Sequence, residues 1–224
     1  MGTGDLTEEP TAPVSVGTVF DRFPASVRGA VVARAQDREP HQIRLLAVRV
    51  VQAHDPANEV HRAGVEEATV DVAPHREVLI PFDVPFAELG PGWFCVTAEV
   101  EVDGSLRIEG PAGGGKRFSV PWPPEEVRKA DLKPNLRVGG AVIERIQSKP
   151  DGTATRWRPG KGAEDAELRV FAGKQRLPVV EVTDDPKTAV RTTVTHPLPR
   201  NAAQLTLEVL RGRARVSASL DLPG

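Results

Sequence analysis

The segment Trp93 to Glu109 constrains the fold of this chain more than any other. Phe94, Val96, Ala98, Val100 and Val102 alternate with Trp93, Cys95, Thr97, Glu99 and Glu101. Successive side chains of a strand point to opposite faces, so this alternation specifies a strand with one buried face. Asp103-Gly104 follows it directly. That dipeptide favours the positive φ angles of a two-residue hairpin turn, and Ser105–Glu109 is then the returning strand. A helix cannot bury such a pattern. The rest of the chain repeats the same grammar.

Further strands are expected at Ser26–Ala35, Gln42–Val51, Ala68–Val72, Glu77–Val84 and Arg117–Val120. Gln42–Val51 is apolar on both faces, which suits a central strand. Pro74, Pro81, Pro85 and Pro91 fall at strand ends or edges, where a missing N–H costs least. A short helix is expected at Glu59–Glu67, and no other segment reaches helical length. The second half continues with strands at Leu136–Gln147, Thr153–Arg158, Ala166–Ala172, Arg176–Val182, Ala189–His196, Gln204–Leu210 and Ala214–Leu222. Many short strands with turn signals every few residues specify an all-β chain of two tandem antiparallel β-sandwich domains, immunoglobulin-like in pattern. The expected organisation is a flexible segment over 1–14, a first sandwich over 15–126, a linker over 127–135 around Pro134, and a second sandwich over 136–224.

Composition enters through charge. The chain of 224 residues has a formal net charge of −2. Residues 1–126 carry 11 Lys and Arg against 20 Asp and Glu, whereas residues 127–224 carry 18 against 11. The first sandwich is acidic and the second basic. A basic half either faces an anionic partner or is neutralised by its own acids. One cysteine, Cys95, excludes a disulfide scaffold and agrees with a reducing, cytoplasmic location. No run has the length of a membrane span, and the acidic N-terminal stretch lacks the basic start of a secretory signal.

Few residues carry chemistry. Gly110 to Lys116 matches the G-x-x-x-x-G-K part of a phosphate loop, but Arg117 replaces the Ser or Thr that binds magnesium, and a strand rather than a helix follows. That segment reads as a hairpin loop. His54, His61 and His75 lie close in sequence, with Asp55 and Glu59 between them, at spacings that match no zinc pattern. They are the basis of one alternative reading, a loop-built metal-dependent enzyme. His41 opens a strand with no partner visible in the sequence. Cys95 has no base assignable to it. No convergent set of acid, base and nucleophile emerges, so the reading is non-enzymatic, with no cofactor or resident metal.

The strongest lead is basic. Arg211, Arg213 and Arg215 recur at spacing two, and Arg156 and Arg158 flank Trp157. Such rows bind phosphate or carboxylate bidentately, and an aromatic among them stacks on bases. Arg156, Trp157, Arg158, Arg211, Arg213 and Arg215 are therefore the candidate residues for an anion or a partner. A second alternative is thus anion or nucleic-acid binding through the basic domain. The leading expectation is a protein partner, bound by a non-catalytic adaptor, scaffold or assembly component through sheet edges and loops.

The first half also resembles the N-terminal sandwich of arrestin-like proteins, including the bacterial sporulation-control type. The resemblance rests on Val27-Arg28-Gly29-Ala30-Val31, on Gln42–Val51, on the run from Glu77 to Pro85, and on Val96–Val100. It covers about 60 residues and includes no diagnostic motif. A generic immunoglobulin-like sandwich accounts for the same residues, including Pro91-Gly92-Trp93 before the long strand. The resemblance implies an adaptor that binds proteins at sheet edges, and it carries over no functional residue.

Overall fold

The computed structural model describes residues 13–110 and 116–223, apart from the side chains of residues 64–68. The expected flexible segment 1–14 therefore lies almost wholly outside the described residues, as does most of the glycine-rich loop before Lys116. Among the described residues the regular structure is strand, with a single turn of 3-10 helix at Phe86–Glu88.

The first unit holds β1 (Val14–Arg22), β2 (Ser26–Ala35), β3 (His41–Gln52), β4 (Asp55–Val72), β5 (Glu77–Pro85), β6 (Gly92–Val102), β7 (Ser105–Glu109) and β8 (Phe118–Val120). One sheet has the order β1-β2-β5, and the other β4-β3-β6-β7, with β8 also pairing β6. Every pairing is antiparallel. Val27, Val31 and Val84 from one sheet and Ile43, Leu45, Val48, Val96 and Val100 from the other are fully buried. The Phe118 ring lies 5.8 Å from that of Phe20 and 5.6 Å from that of Phe94. Thr18 Oγ1 donates to the Val96 carbonyl at 3.1 Å, tying the two sheets through a buried hydrogen bond.

The expected helix at Glu59–Glu67 is instead the middle of the long strand β4, antiparallel to β3. The register shifts between Leu45 and Ala47 and twice between Val50 and Gln52. Each bulge resets which side chains face inward, so the segment loses its alternation and its sequence no longer reads as a strand. The same shift moves burial in β3 from Ile43 and Leu45 to Val48 and Val50.

On the outer face of β1-β2-β5, the rows Gly17–Val32–Leu79 and Val19–Ala30–Pro81 are apolar. Val19 is 47% and Leu79 58% exposed. The flanking rows are Ser15–Arg34–Glu77 and Asp21–Arg28–Asp83, with Arg28 Nε 2.9 Å from Asp83 Oδ2. Strand β1 ends this sheet, and two cations reach its outward carbonyls. Arg107 Nη1 donates to Val14 O at 3.4 Å, and Lys116 Nζ donates to Phe20 O.

The second unit holds β9 (Ala130–Leu132), β10 (Leu136–Val138), β11 (Ala141–Lys149), β12 (Gly152–Arg158), β13 (Glu167–Ala172), β14 (Gln175–Arg176), β15 (Val179–Asp185), β16 (Val190–Thr195), β17 (Gln204–Arg211) and β18 (Ala214–Asp221). Its sheets have the orders β10-β11-β12-β16-β15, with β9 also on β11, and β14-β13-β17-β18. Trp157, Ile143, Ile146, Val170, Leu198, Leu205 and Leu207 form one buried cluster between them. Across β12 and β16, Thr153 faces Thr195 and Thr155 faces Thr193, and all four are buried.

Contacts divide the chain after Phe118, so the last two residues of β8 and the first two of β6, with Pro91, count with the second unit. The segment expected as a linker, 127–135, is integrated into that unit. Val127 is buried and bridges to Pro199, Arg128 N donates to Leu198 O at 2.9 Å, and β9 pairs with β11. A three-residue strand flanked by charges and Pro134 is too short for periodicity to reveal it.

Candidate functional site

The structure separates the candidate arginines. Arg156 and Arg158 leave β12 on the face opposite Trp157, and all three belong to the five-stranded order β10-β11-β12-β16-β15. Arg211, Arg213 and Arg215 lie at the hairpin of β17 and β18 in the other sheet. The two sets therefore belong to different sheets. Most of these charges are also engaged within the chain. Arg158 Nη2 lies 2.6 Å from Glu144 Oε1, Arg215 Nε lies 3.4 Å from Glu208 Oε1, and Arg211 donates to Gly162 O. Arg156 lines a shallow polar recess with Asp184 and Asp185. Arg213 is exposed on the hairpin turn.

Trp157 is no stacking platform. Its side chain is fully buried, its Nε1–H donates to Thr193 Oγ1 at 3.0 Å, and the Arg191 guanidinium sits 5.3 Å from its ring centroid. A ring with no exposed surface cannot meet a base or a peptide. The inner face of β12 is threonine above the tryptophan, so no aliphatic pattern marks that face as core.

The three clustered histidines take separate roles. His61 Nε2 lies 3.3 Å from Glu88 Oε2. His75 sits in the turn before β5 with φ of 56°, and His54 in the turn between β3 and β4. Among the described residues no group of three or more His, Cys, Asp or Glu is arranged to hold a metal ion. Cys95 is partly buried on β6, and burial pushes its thiol pKa up against the opposing pull of Arg117. A raised thiol pKa lowers thiolate content, the opposite of what a nucleophile needs.

His41, which shows no partner in the sequence, has two in the fold. Its Nδ1 lies 2.6 Å from Asp103 Oδ2 and its Nε2 2.8 Å from Asp37 Oδ1. The ring is nearly buried, at 8% exposure. Hydrogen bonds to Asp103 and then Asp37 raise the His41 pKa, and the bond to His41 is the largest cause holding each aspartate below its ordinary value. Both ring nitrogens are occupied, so this histidine cannot accept a proton from a substrate; it clamps the β2–β3 loop to the β6–β7 turn. The signal was in the strand pairing: Ile43 opposite Val102 sets His41 beside the Asp103 turn.

A second feature lies in the second unit. Trp122, Glu126, Pro178, His196 and Pro199 line an open groove of about 220 Å³, above the buried residues Val127, Leu177 and Leu198. The rings of Trp122 and His196 meet at 4.9 Å with an interplanar angle of 56°. Short connections hold these walls: His196 N donates to Pro178 O at 3.0 Å, Arg200 N to Glu126 O at 2.8 Å, and Val127 bridges Pro199. The Nε1–H of Trp122 has no acceptor among the described residues, unlike that of Trp157. Pro178, His196 and Pro199 come from segments more than fifty residues from Trp122, so no local pattern marks the groove.

No family model and no curated protein matches the chain. Among solved structures, it is similar to Spo0M, a sporulation control protein from Bacillus subtilis, at 13% identity and a TM-score of 0.32, covering 94% of this chain and 91% of that one. It is also similar to a marsupial T cell receptor at 9% identity and a TM-score of 0.27, covering 92% of this chain and 62% of that one. Likeness at this level assigns no activity. Among the described residues the chain is all-β, built from antiparallel sheets.

Proposed function

We propose that this chain is a non-catalytic protein-interaction module, active in the cytoplasm, that takes an extended segment of a partner protein into the Trp122–His196 groove. The observation that carries the reading is the groove itself. Its floor is apolar and its walls are rings on connections pinned by backbone hydrogen bonds. A wall held in place before binding loses little conformational freedom on binding. A tryptophan presenting ring surface and an indole N–H with no acceptor among the described residues is the residue type that dominates binding energy at interfaces. The route differs from strand addition at β1, where Arg107 and Lys116 already occupy outward carbonyls. It also differs from anion binding, because the candidate arginines lie on two sheets and Trp157 is buried.

The test compares the full chain with Trp122→Ala as baits in quantitative affinity capture from the source cells. A discrete set of proteins retained by the wild type and lost from the variant, at unchanged Tm, is the expected result. The same retained set for both baits overturns the reading.

A further inference from the structure

Resting on that reading, the chemistry of the groove also narrows the class of segment it takes. We propose that its occupant is a proline-rich segment in polyproline II conformation, flanked by a basic residue.

Four observations converge on this ligand. The walls are ring faces: the indole of Trp122, the imidazole of His196, and the pyrrolidines of Pro178 and Pro199. Ring-lined grooves accept polyproline II helices because each turn presents flat apolar rings and little rotamer freedom is lost. Next, such a helix has no internal hydrogen bonds, so its carbonyls are free to accept. Trp122 Nε1–H is a donor with no acceptor among the described residues. Third, the groove is open and its volume of about 220 Å³ is below that of sites that enclose a drug-sized molecule. It suits a segment lying across the surface. Last, the rim carries the carboxylates of Glu125 and Glu126 beside the guanidinium of Arg200, which donates to the Glu125 carbonyl at 3.1 Å. Glu126 lines the groove beside exposed Glu125, and its carboxylate makes no ion pair among the described residues. A basic residue next to the proline core complements it.

Flanking charge separates this ligand from the chain's own Pro10-Thr11-Ala12-Pro13. That stretch has the Pro-X-X-Pro spacing but follows Glu8 and Glu9. It is therefore a control peptide of matched spacing and opposite flank.

The experiment is fluorescence anisotropy with the full chain and labelled synthetic peptides. One is RRAPALPALPAG, one has both arginines replaced by glutamate, one has its prolines replaced by alanine, and one spans residues 5–13 of this chain. Saturable binding of the basic proline peptide is expected, with weaker binding of the other three. Trp122→Ala weakens it by at least about tenfold, as loss of a central tryptophan anchor does. Glu126→Lys reverses the preference between the arginine and glutamate peptides. That reversal keeps the proposal testable if Trp122→Ala does not fold. Absence of binding up to about 1 mM peptide overturns the proposal, as does equal binding by wild type and a folded Trp122→Ala chain. If the peptides fail while partner capture still depends on Trp122, the proline class is wrong and the interaction reading stands. Loss of both removes both.

Discussion

Asp103 Oδ2 stands 2.6 Å from His41 Nδ1, while the other oxygen of the same carboxylate accepts the Gln42 amide at 2.9 Å. One side chain thus serves a turn and a counter-charge. Asp103 itself has φ of 49° and precedes Gly104 at 81°. With Asp37 on the other nitrogen, the protonated form of His41 lies between two carboxylates, and Arg107 is the further charge acting on Asp103.

Stability should therefore depend on pH in a defined sense. The His41 pKa is raised above its ordinary 6.5, so its contribution is whole below that value and fades as pH rises through the raised one. The aspartate pKa values are lowered from 3.8, so their contribution is present above 3.8 and fades as pH falls through the lowered values. Between these limits the clamp is strongest. His41→Gln should lower Tm by several degrees near pH 6 and by clearly less near pH 9. A Tm difference that stays constant across this range would show that the charge on His41 does not hold the loop.

Trp157 should act through packing. Trp157→Ala removes a fully buried ring and leaves Thr193 Oγ1 without its donor, so a loss of about 3–5 kcal/mol is expected in urea unfolding. Arg156→Ala and Arg158→Ala, at exposed positions, should each change stability by less than about 0.5 kcal/mol. Comparable losses from all three variants would contradict this division between core and surface.

Gly29 is required by closeness rather than by its φ angle. A Cβ there would lie 2.1 Å from the Val19 carbonyl oxygen and 2.7 Å from Phe20 Cβ. Both are parts of the paired strand β1, so neither can swing aside. Gly29→Ala should cost about 1–3 kcal/mol or more, and hydrogen exchange should quicken along Val14–Arg22 first. Exchange that stays uniform along the sheet would place the strain elsewhere.

Legibility in the sequence followed regularity of register. β6, its Asp103-Gly104 turn and β7 could be read because apolar and polar residues alternate without interruption for a full hairpin. β18 was equally plain from Ala214 onward. β4 was not, since bulges in its pairing with β3 erase the alternation. β1 is not legible because Gly17 and the adjacent pair Val19-Phe20 blur a face that Thr18 and Phe20 bury. The candidate site was less legible still. Salt-bridge partners, the burial of Trp157 and the walls around Trp122 all depend on residues brought together across long separations, and no local pattern encodes them.

The two cations over β1 have a consequence for how this chain behaves in concentrated solution. A sheet whose last strand has open carbonyls can template the next molecule and grow into a fibre. Here a growing fibre must first displace Arg107 from Val14 and Lys116 from Phe20. The barrier to polymerisation is therefore electrostatic at its first step. Salt erodes such a barrier while leaving the buried core of the sandwich intact.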